Sequence, residues 1–108
     1  MVNQRETLSH FGKTFQEKLC QLILEDRPFC DQLEEVLDIN FLELKYLQVF
    51  TETIFSYRNR YNTHPSYDIM ATMLKSGLRQ HNDAVQKQVR DYFARVMSGS
   101  VQGQDYIK

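Results

Sequence analysis

Residues 41–62 read FLELKYLQVFTETIFSYRNRYN, and this stretch decides the fold. Leu44, Leu47, Phe50, Ile54, Tyr57 and Tyr61 recur at steps of three, three, four, three and four. That is the period of an amphipathic helix and not the alternation of a strand. Phe41, Val49 and Phe55 add apolar bulk off the line. The spacing predicts a central helix over 41–62, packed by several neighbours, with Asn40 as its N-cap.

Shorter helices are predicted on either side. Upstream, Phe11, Phe15, Leu19, Leu22 and Ile23 form a helical stripe that starts near Ser9, after a frayed lead-in over 1–8. Pro28 ends it, because proline lacks a donor and restrains Arg27. A short helix follows over 29–37, with Phe29, Leu33, Val36 and Leu37 as its apolar edge and Asp38-Ile39-Asn40 as connector. Downstream, residues 62–66 read NTHPS and break the chain, with Ser66 or Thr63 capping the next helix. Ile69, Met70, Met73 and Leu74 give that helix its apolar face, and Gly77 suits a left-handed end. Residues 78–81 turn the chain, and Asn82 or His81 opens a last helix. It carries Val85, Val89, Tyr92, Phe93, Val96 and Met97 inside and Lys87, Arg90, Asp91 and Arg95 outside. The expected fold class is all-α, a compact orthogonal bundle of about five helices over 1–97. Residues 98–104 read as a linker and 105–108 as the opening of a truncated helix, as in a piece cut from a longer protein.

Composition narrows the function. With 108 residues there is room for one domain. Hydrophobic residues at 42% and aromatics at 12% are too many for a disordered chain. The net charge of -1 argues against electrostatically driven nucleic-acid binding. Acids crowd the segment from Glu25 to Asp38, and bases the segment from Arg58 to Arg95. Such polarity suits head-to-tail contact between like subunits, or simply two solvated faces. Cys20 and Cys30 lack a second pair, so zinc-finger spacing is absent, and buried free thiols in a reducing compartment are expected. The N-terminus is polar and no apolar run nears the ~20 residues that cross a bilayer, so no membrane contact and a cytoplasmic location are expected.

The residues offer little catalytic chemistry. Gly12, Gly77, Gly99 and Gly103 form no phosphate-cradling loop. His10, His64 and His81 have no second ligand at helical spacing, which leaves loop or cap roles. Glu34 and Glu35 are adjacent, so they point about 100° apart. Arg58, Arg60, Tyr57 and Tyr61 mix bases with aromatics as single-strand binders do, but also describe the wet end of a core helix. Met70 and Met73 suit either an adaptable groove or core filling. No catalytic, cofactor or metal residues are assigned, and no enzyme is expected in this piece.

One pattern goes beyond periodicity. It runs from Glu25-Asp26-Arg27-Pro28-Phe29 to Phe41, through Leu44–Phe50 and Phe55-Ser56-Tyr57, to His64-Pro65-Ser66-Tyr67-Asp68 and Leu74. It resembles the N-terminal domain of DnaB-type replicative DNA helicases, in a phage-like or otherwise divergent form. Leu19–Leu24 looks like the family's opening helix, Asn40-Phe41 the start of its central segment, and Val49-Phe50 its apolar-Phe pair. His64-Pro65 and Asp68 through Leu74 look like its loop and short helix. Tyr46 stands near the family's usual histidine, and the Pro-to-Asp gap is one residue longer than usual. The resemblance implies a collar domain on a hexameric ring, docking primase and sometimes a helicase loader in DNA replication. It also implies that ATP, magnesium and DNA belong to a motor domain outside this chain. The alternative is a stand-alone helical adaptor or regulator that binds a host protein.

Overall fold

The structure is a computed structural model that describes residues 4–99, with side chains from Gly12 onward. Five helices follow in order: α1 (Gln4–Glu25), α2 (Arg27–Glu34), α3 (Lys45–Tyr61), α4 (Tyr67–Gly77) and α5 (Asp83–Ser98). Single 3-10 turns at Ile39–Phe41 and Leu78–Gln80 complete the chain, and the described residues contain no strand. The all-α bundle expected from the periodicity is thus the fold. The linker and new helix expected over 98–108 lie outside the described residues, except that Ser98 ends α5 and Gly99 caps it.

Local chemistry sets the boundaries, and several differ from the sequence expectation. Helix α1 begins at Gln4, ahead of Ser9, and breaks at Gly12, where φ 78° and ψ -172° leave the helical region. Only glycine enters that conformation readily. Helix α2 spans Arg27–Glu34 and not 29–37; the Asp26 carboxylate accepts the Phe29 N–H at 3.1 Å and caps the helix, which starts two residues ahead of Phe29. Pro28 sits in its first turn as expected. Helix α3 starts at Lys45 and not Phe41. Asp38 accepts the Asn40 N–H at 2.9 Å, winding Ile39–Phe41 into the 3-10 turn. Leu42 then drops into the core, fully buried, and the backbone runs extended to Leu44, the N-cap. Asn40 caps nothing; instead Gln16 of α1 accepts the Glu43 N–H at 2.9 Å and Gln48 donates to the Leu42 carbonyl at 2.6 Å.

The later boundaries follow the sequence more closely. Asn62 takes the left-handed position after α3 with φ 56°. Ser66 caps α4, and Asn82 caps α5 by accepting the Val85 N–H at 2.8 Å. Gly77 is right-handed, at φ -87°, and not left-handed as expected. The buried Leu78 pulls the chain straight on into the second 3-10 turn, so no reversal is needed. The left-handed position comes at Gly99, φ 75°, which caps α5.

Helix α3 is the centre. Leu47, Phe50 and Ile54 are fully buried, and Phe50 meets Tyr92 edge-on at 4.9 Å between ring centres. Tyr46 makes a second edge contact with Tyr92 at 5.9 Å. Ile23 and Cys20 of α1, Met70 and Leu74 of α4, and Val89 and Val96 of α5 close around them. The predicted stripe emerges into water at its far end, where Tyr57 is half-buried and Tyr61 is 56% exposed. Both cysteines are free and fully buried, and burial pushes the Cys20 thiol to about 12 and the Cys30 thiol to about 11.

Candidate functional site: a groove beside two closed polar clusters

The first polar cluster joins three helices. Glu17 of α1 is fully buried. Arg95 of α5 grips its carboxylate with both terminal nitrogens, Nη1 to Oε1 at 2.7 Å and Nη2 to Oε2 at 2.8 Å. The Tyr46 hydroxyl of α3 donates to Oε2, and the Tyr92 hydroxyl donates to the Glu17 carbonyl. Burial works to raise the Glu17 carboxyl, but the hydrogen bonds from Arg95 and Tyr46 and the Arg95 charge outweigh it. The group stays below the usual carboxylate range. Burial and the neighbouring carboxylate push the Tyr46 phenol up, so it remains a donor.

The second cluster ties α2 to α3. Arg58 donates through Nε to Glu34 at 3.0 Å and through Nη2 to Asp31. Its Nη1 lies 2.7 Å from Nδ1 of His64, whose Nε2 lies 2.6 Å from the Leu24 carbonyl. A carbonyl only accepts, so Nε2 carries the hydrogen and Nδ1 is the acceptor for Arg58. His64 thereby bridges α1, α3 and the 62–66 turn. Burial opposes the Arg58 charge, yet Asp31 and Glu34 hold the guanidinium above its ordinary range. Arg58's own hydrogen bond in turn keeps the Asp31 carboxyl below its own.

Between α3 and α4 lies an open groove of about 920 Å³. Val49, Tyr57, Ile69 and Met73 are its less exposed lining. Thr53 and Ser56 face it from α3, and Thr72, Ser76 and Gly77 from α4. Three of those hydroxyls turn back on their own helices. Thr53 donates to the Val49 carbonyl at 2.8 Å, Thr72 to Asp68 at 3.1 Å and Ser76 to Thr72 at 3.4 Å. Glu52, Arg60, Asp68 and His81 border the groove. Arg60 lies 5.6 Å from the Tyr61 ring centre, and that ring is 4.7 Å from Tyr57.

Comparison with protein-family models, with curated proteins and with solved structures finds no match. The site is therefore read from its own chemistry.

The residues singled out in the sequence divide between core and groove. Tyr57, Arg60 and Tyr61 come together on the groove, whereas Arg58 turns away into the cluster with Asp31 and Glu34. Part of the acidic and basic asymmetry is thus neutralised within the chain. Met70 is core, and Met73 lines the groove. His64 holds the turn, His81 closes the second 3-10 turn, and the His10 side chain lies outside the described residues. Glu34 pairs with Arg58 while Glu35 stays exposed. Cys20 packs against the Thr51 hydroxyl at 3.2 Å. The described residues gather no group of three or more His, Cys, Asp or Glu side chains able to hold a metal ion. None of the described helices is long and apolar enough to cross a membrane.

Gln16 and Glu17 were not legible as interior residues. Of the stripe Phe11, Phe15, Leu19, Leu22 and Ile23, Ile23 is core and Leu19 packs against it, Phe15 is turned outward, and the Phe11 side chain lies outside the described residues. Gln16, Glu17, Cys20, Gln21, Ile23 and Leu24 are buried, while Phe15 is 39% exposed. The partners that make a buried glutamate tolerable, Tyr46 and Arg95, are distant in sequence and leave no local signal.

Proposed function

We propose that this chain is a protein-docking module, of the kind that DnaB-type replicative helicases carry at their N-terminus. In that role it supports ring assembly and docks primase or a helicase loader in the cytoplasm, and it performs no chemistry itself. The observation that carries the docking reading is the open α3–α4 groove beside two polar clusters whose groups are satisfied internally. The Glu17 and Arg58 clusters fix α1, α2, α3 and α5 against one another, which gives the groove a rigid α3 wall. The helicase assignment is supported by the resemblance of residues 11–97 to that family. Binding of a single nucleic-acid strand through Arg58, Arg60 and Tyr61 is disfavoured, because Arg58 is engaged by two carboxylates.

The test measures binding of the purified chain to the primase encoded in the same genome, by biolayer interferometry. Saturable binding supports the docking role, and a folded chain that binds neither primase nor loader removes it. Reading the gene past Lys108 separates the helicase from the adaptor. An in-frame phosphate-binding loop supports the former, and an immediate stop codon the latter.

A further inference from the structure

The groove's chemistry specifies an occupant more closely than docking in general. Its walls are built from small residues: Thr53 and Ser56 on α3, Thr72, Ser76 and Gly77 on α4. Three of their hydroxyls are satisfied by carbonyls of their own helices. A back-bonded threonine spends its hydroxyl hydrogen on its own helix and leaves its methyl for a neighbour. The lining beneath them is Val49, Ile69, Met73 and the Tyr57 ring. Such a surface accepts the apolar edge of a helix at close approach. Methionine and unbranched space let it adapt to the occupant.

The border supplies the charge. Glu52 lies toward the middle of α3, and Asp68 in the first turn of α4 after the 62–66 break. Neither carboxylate has an ion-pair partner among the described residues, in contrast to Glu17, Asp31, Glu34 and Asp91. Arg60 is the sole arginine on the lining, and it leans on Tyr61. A phosphate backbone would thus meet two uncompensated carboxylates for one guanidinium. From Val49 to Tyr61 the α3 wall is about 18 Å long at the helical rise, enough for roughly three turns of a bound helix.

We propose that the α3–α4 groove takes an amphipathic helix of a partner protein, apolar edge inward, with lysine or arginine toward Glu52 and Asp68. The inference rests on the docking reading and adds the partner's chemistry and the surface it uses. A second copy of this chain is a poorer occupant, because its exposed Phe15, Val36 and Met97 stand on separate segments and form no continuous apolar edge.

The experiment uses three synthetic helical peptides of about 14 residues. They share one leucine–methionine edge at i, i+4, i+7 and i+11 and differ only in flanking Lys, Glu or Gln. A thymidine oligonucleotide of about 15 bases is the fourth probe. Affinity is read by fluorescence anisotropy, and the site by amide chemical-shift changes in the isotope-labelled chain. The Lys peptide is expected to bind about ten-fold tighter than the Glu peptide, as two rim charges change from attraction to repulsion. Shifts should fall on α3 and α4. Gly77→Leu should weaken the Lys peptide about ten-fold without unfolding the chain, since a Cβ there meets open space and the backbone is right-handed. Glu52→Lys should shift the preference toward the Glu peptide. Equal affinity for the Lys and Glu peptides, shifts away from α3 and α4, indifference to Gly77→Leu, self-association in place of peptide binding, or tighter binding of the oligonucleotide would overturn the proposal. Primase binding that survives Gly77→Leu sinks the groove and leaves the docking reading standing. Peptide binding in the groove without primase binding does the reverse.

Discussion

Replacing Arg95 by methionine tests how much the Glu17 cluster contributes. The change keeps the aliphatic stem and removes the guanidinium that grips Glu17 through two hydrogen bonds. The Glu17 side chain is 1% exposed, so its carboxylate would remain buried with Tyr46 as its chief donor. Removing one partner from a buried pair costs about 3–5 kcal/mol. Arg95 itself is 35% exposed, so water already screens part of the interaction, and the expected loss is about 2–3 kcal/mol. For a domain of this size that lowers Tm by roughly 10–20 °C. Urea unfolding at neutral pH, followed by two probes, gives the number. The double variant Glu17→Leu/Arg95→Met should lose less than the sum of the two single changes, because no charge is left stranded. The pH arm is independent. The native Glu17 carboxyl lies below its ordinary value of 4.5, so the unfolded chain takes up the proton first as pH falls. The pair's contribution is complete above about pH 4.5 and is lost below it as the native group titrates, whereas Glu17→Gln should flatten that acid limb. An Arg95→Met loss under about 1 kcal/mol, or strict additivity in the double variant, would refute the reasoning.

Phe50→Ala should cost about 3–5 kcal/mol in urea unfolding, since the ring is fully buried against Tyr92 and Phe93 and the surrounding helices cannot collapse onto the space. On the alkaline side, stability should be complete below about pH 9 and fall between pH 9 and 12. The Cys20 and Cys30 thiols, with ordinary values of 9.0, are held at about 12 and about 11, so the unfolded chain ionises first. Stability measured from pH 8 to 11, with and without Cys20→Ala, checks this. Gly12→Ala should force either a straighter α1 or a strained residue at a cost of about 1–3 kcal/mol, read by circular dichroism and thermal unfolding.

The sequence made the helices legible wherever apolar spacing and a cap agreed. Ser66 and Asn82 each sit directly before a periodic run, and of the pairs Ser66 or Thr63 and Asn82 or His81 it is they that cap. The reading failed where a tertiary contact overrode a local preference. The 41–62 pattern looked unbroken because Phe41 and Leu44 keep the helical step, but Gln16 holds the Glu43 backbone and Leu42 enters the core, so the helix waits until Lys45. Gly77 was a plausible left-handed terminus until the buried Leu78 carried the turn onward in the right-handed sense. The groove was half legible. Tyr57, Arg60, Tyr61 and Met73 show surface or adaptable character in the sequence, and their facing partners Thr72, Ser76 and Gly77 do not. A small polar residue on an exposed helix carries no sign that its hydroxyl is already satisfied by its own backbone.

The same bonding pattern bears on how the groove accommodates a partner. The Glu17 cluster ties α1, α3 and α5, and the Arg58 cluster ties α2 and α3 to the 62–66 turn. No ion pair among the described residues reaches α4. It is held by Met70 and Leu74 in the core and by the Tyr67 hydroxyl donating to Glu25, a phenol that burial and that carboxylate push up to about 12. One wall of the groove is therefore fixed at several polar points, and the other rests mainly on apolar and ring contacts, from Met70, Met73 and Leu74 and from Tyr67 against Phe93. Helix α4 should open locally at lower free energy than α3, by about 2 kcal/mol or roughly thirty-fold in exchange rate. Native-state hydrogen exchange reads this directly, comparing amides from Ala71 to Lys75 with those from Phe50 to Ile54. A bound helix should slow exchange in α4 far more than in α3, because it braces the wall that has fewer polar ties to the rest of the fold. Equal protection of the two helices in the free chain would mean that apolar packing alone holds α4 as firmly as the polar clusters hold α3, and the groove would then have a fixed width.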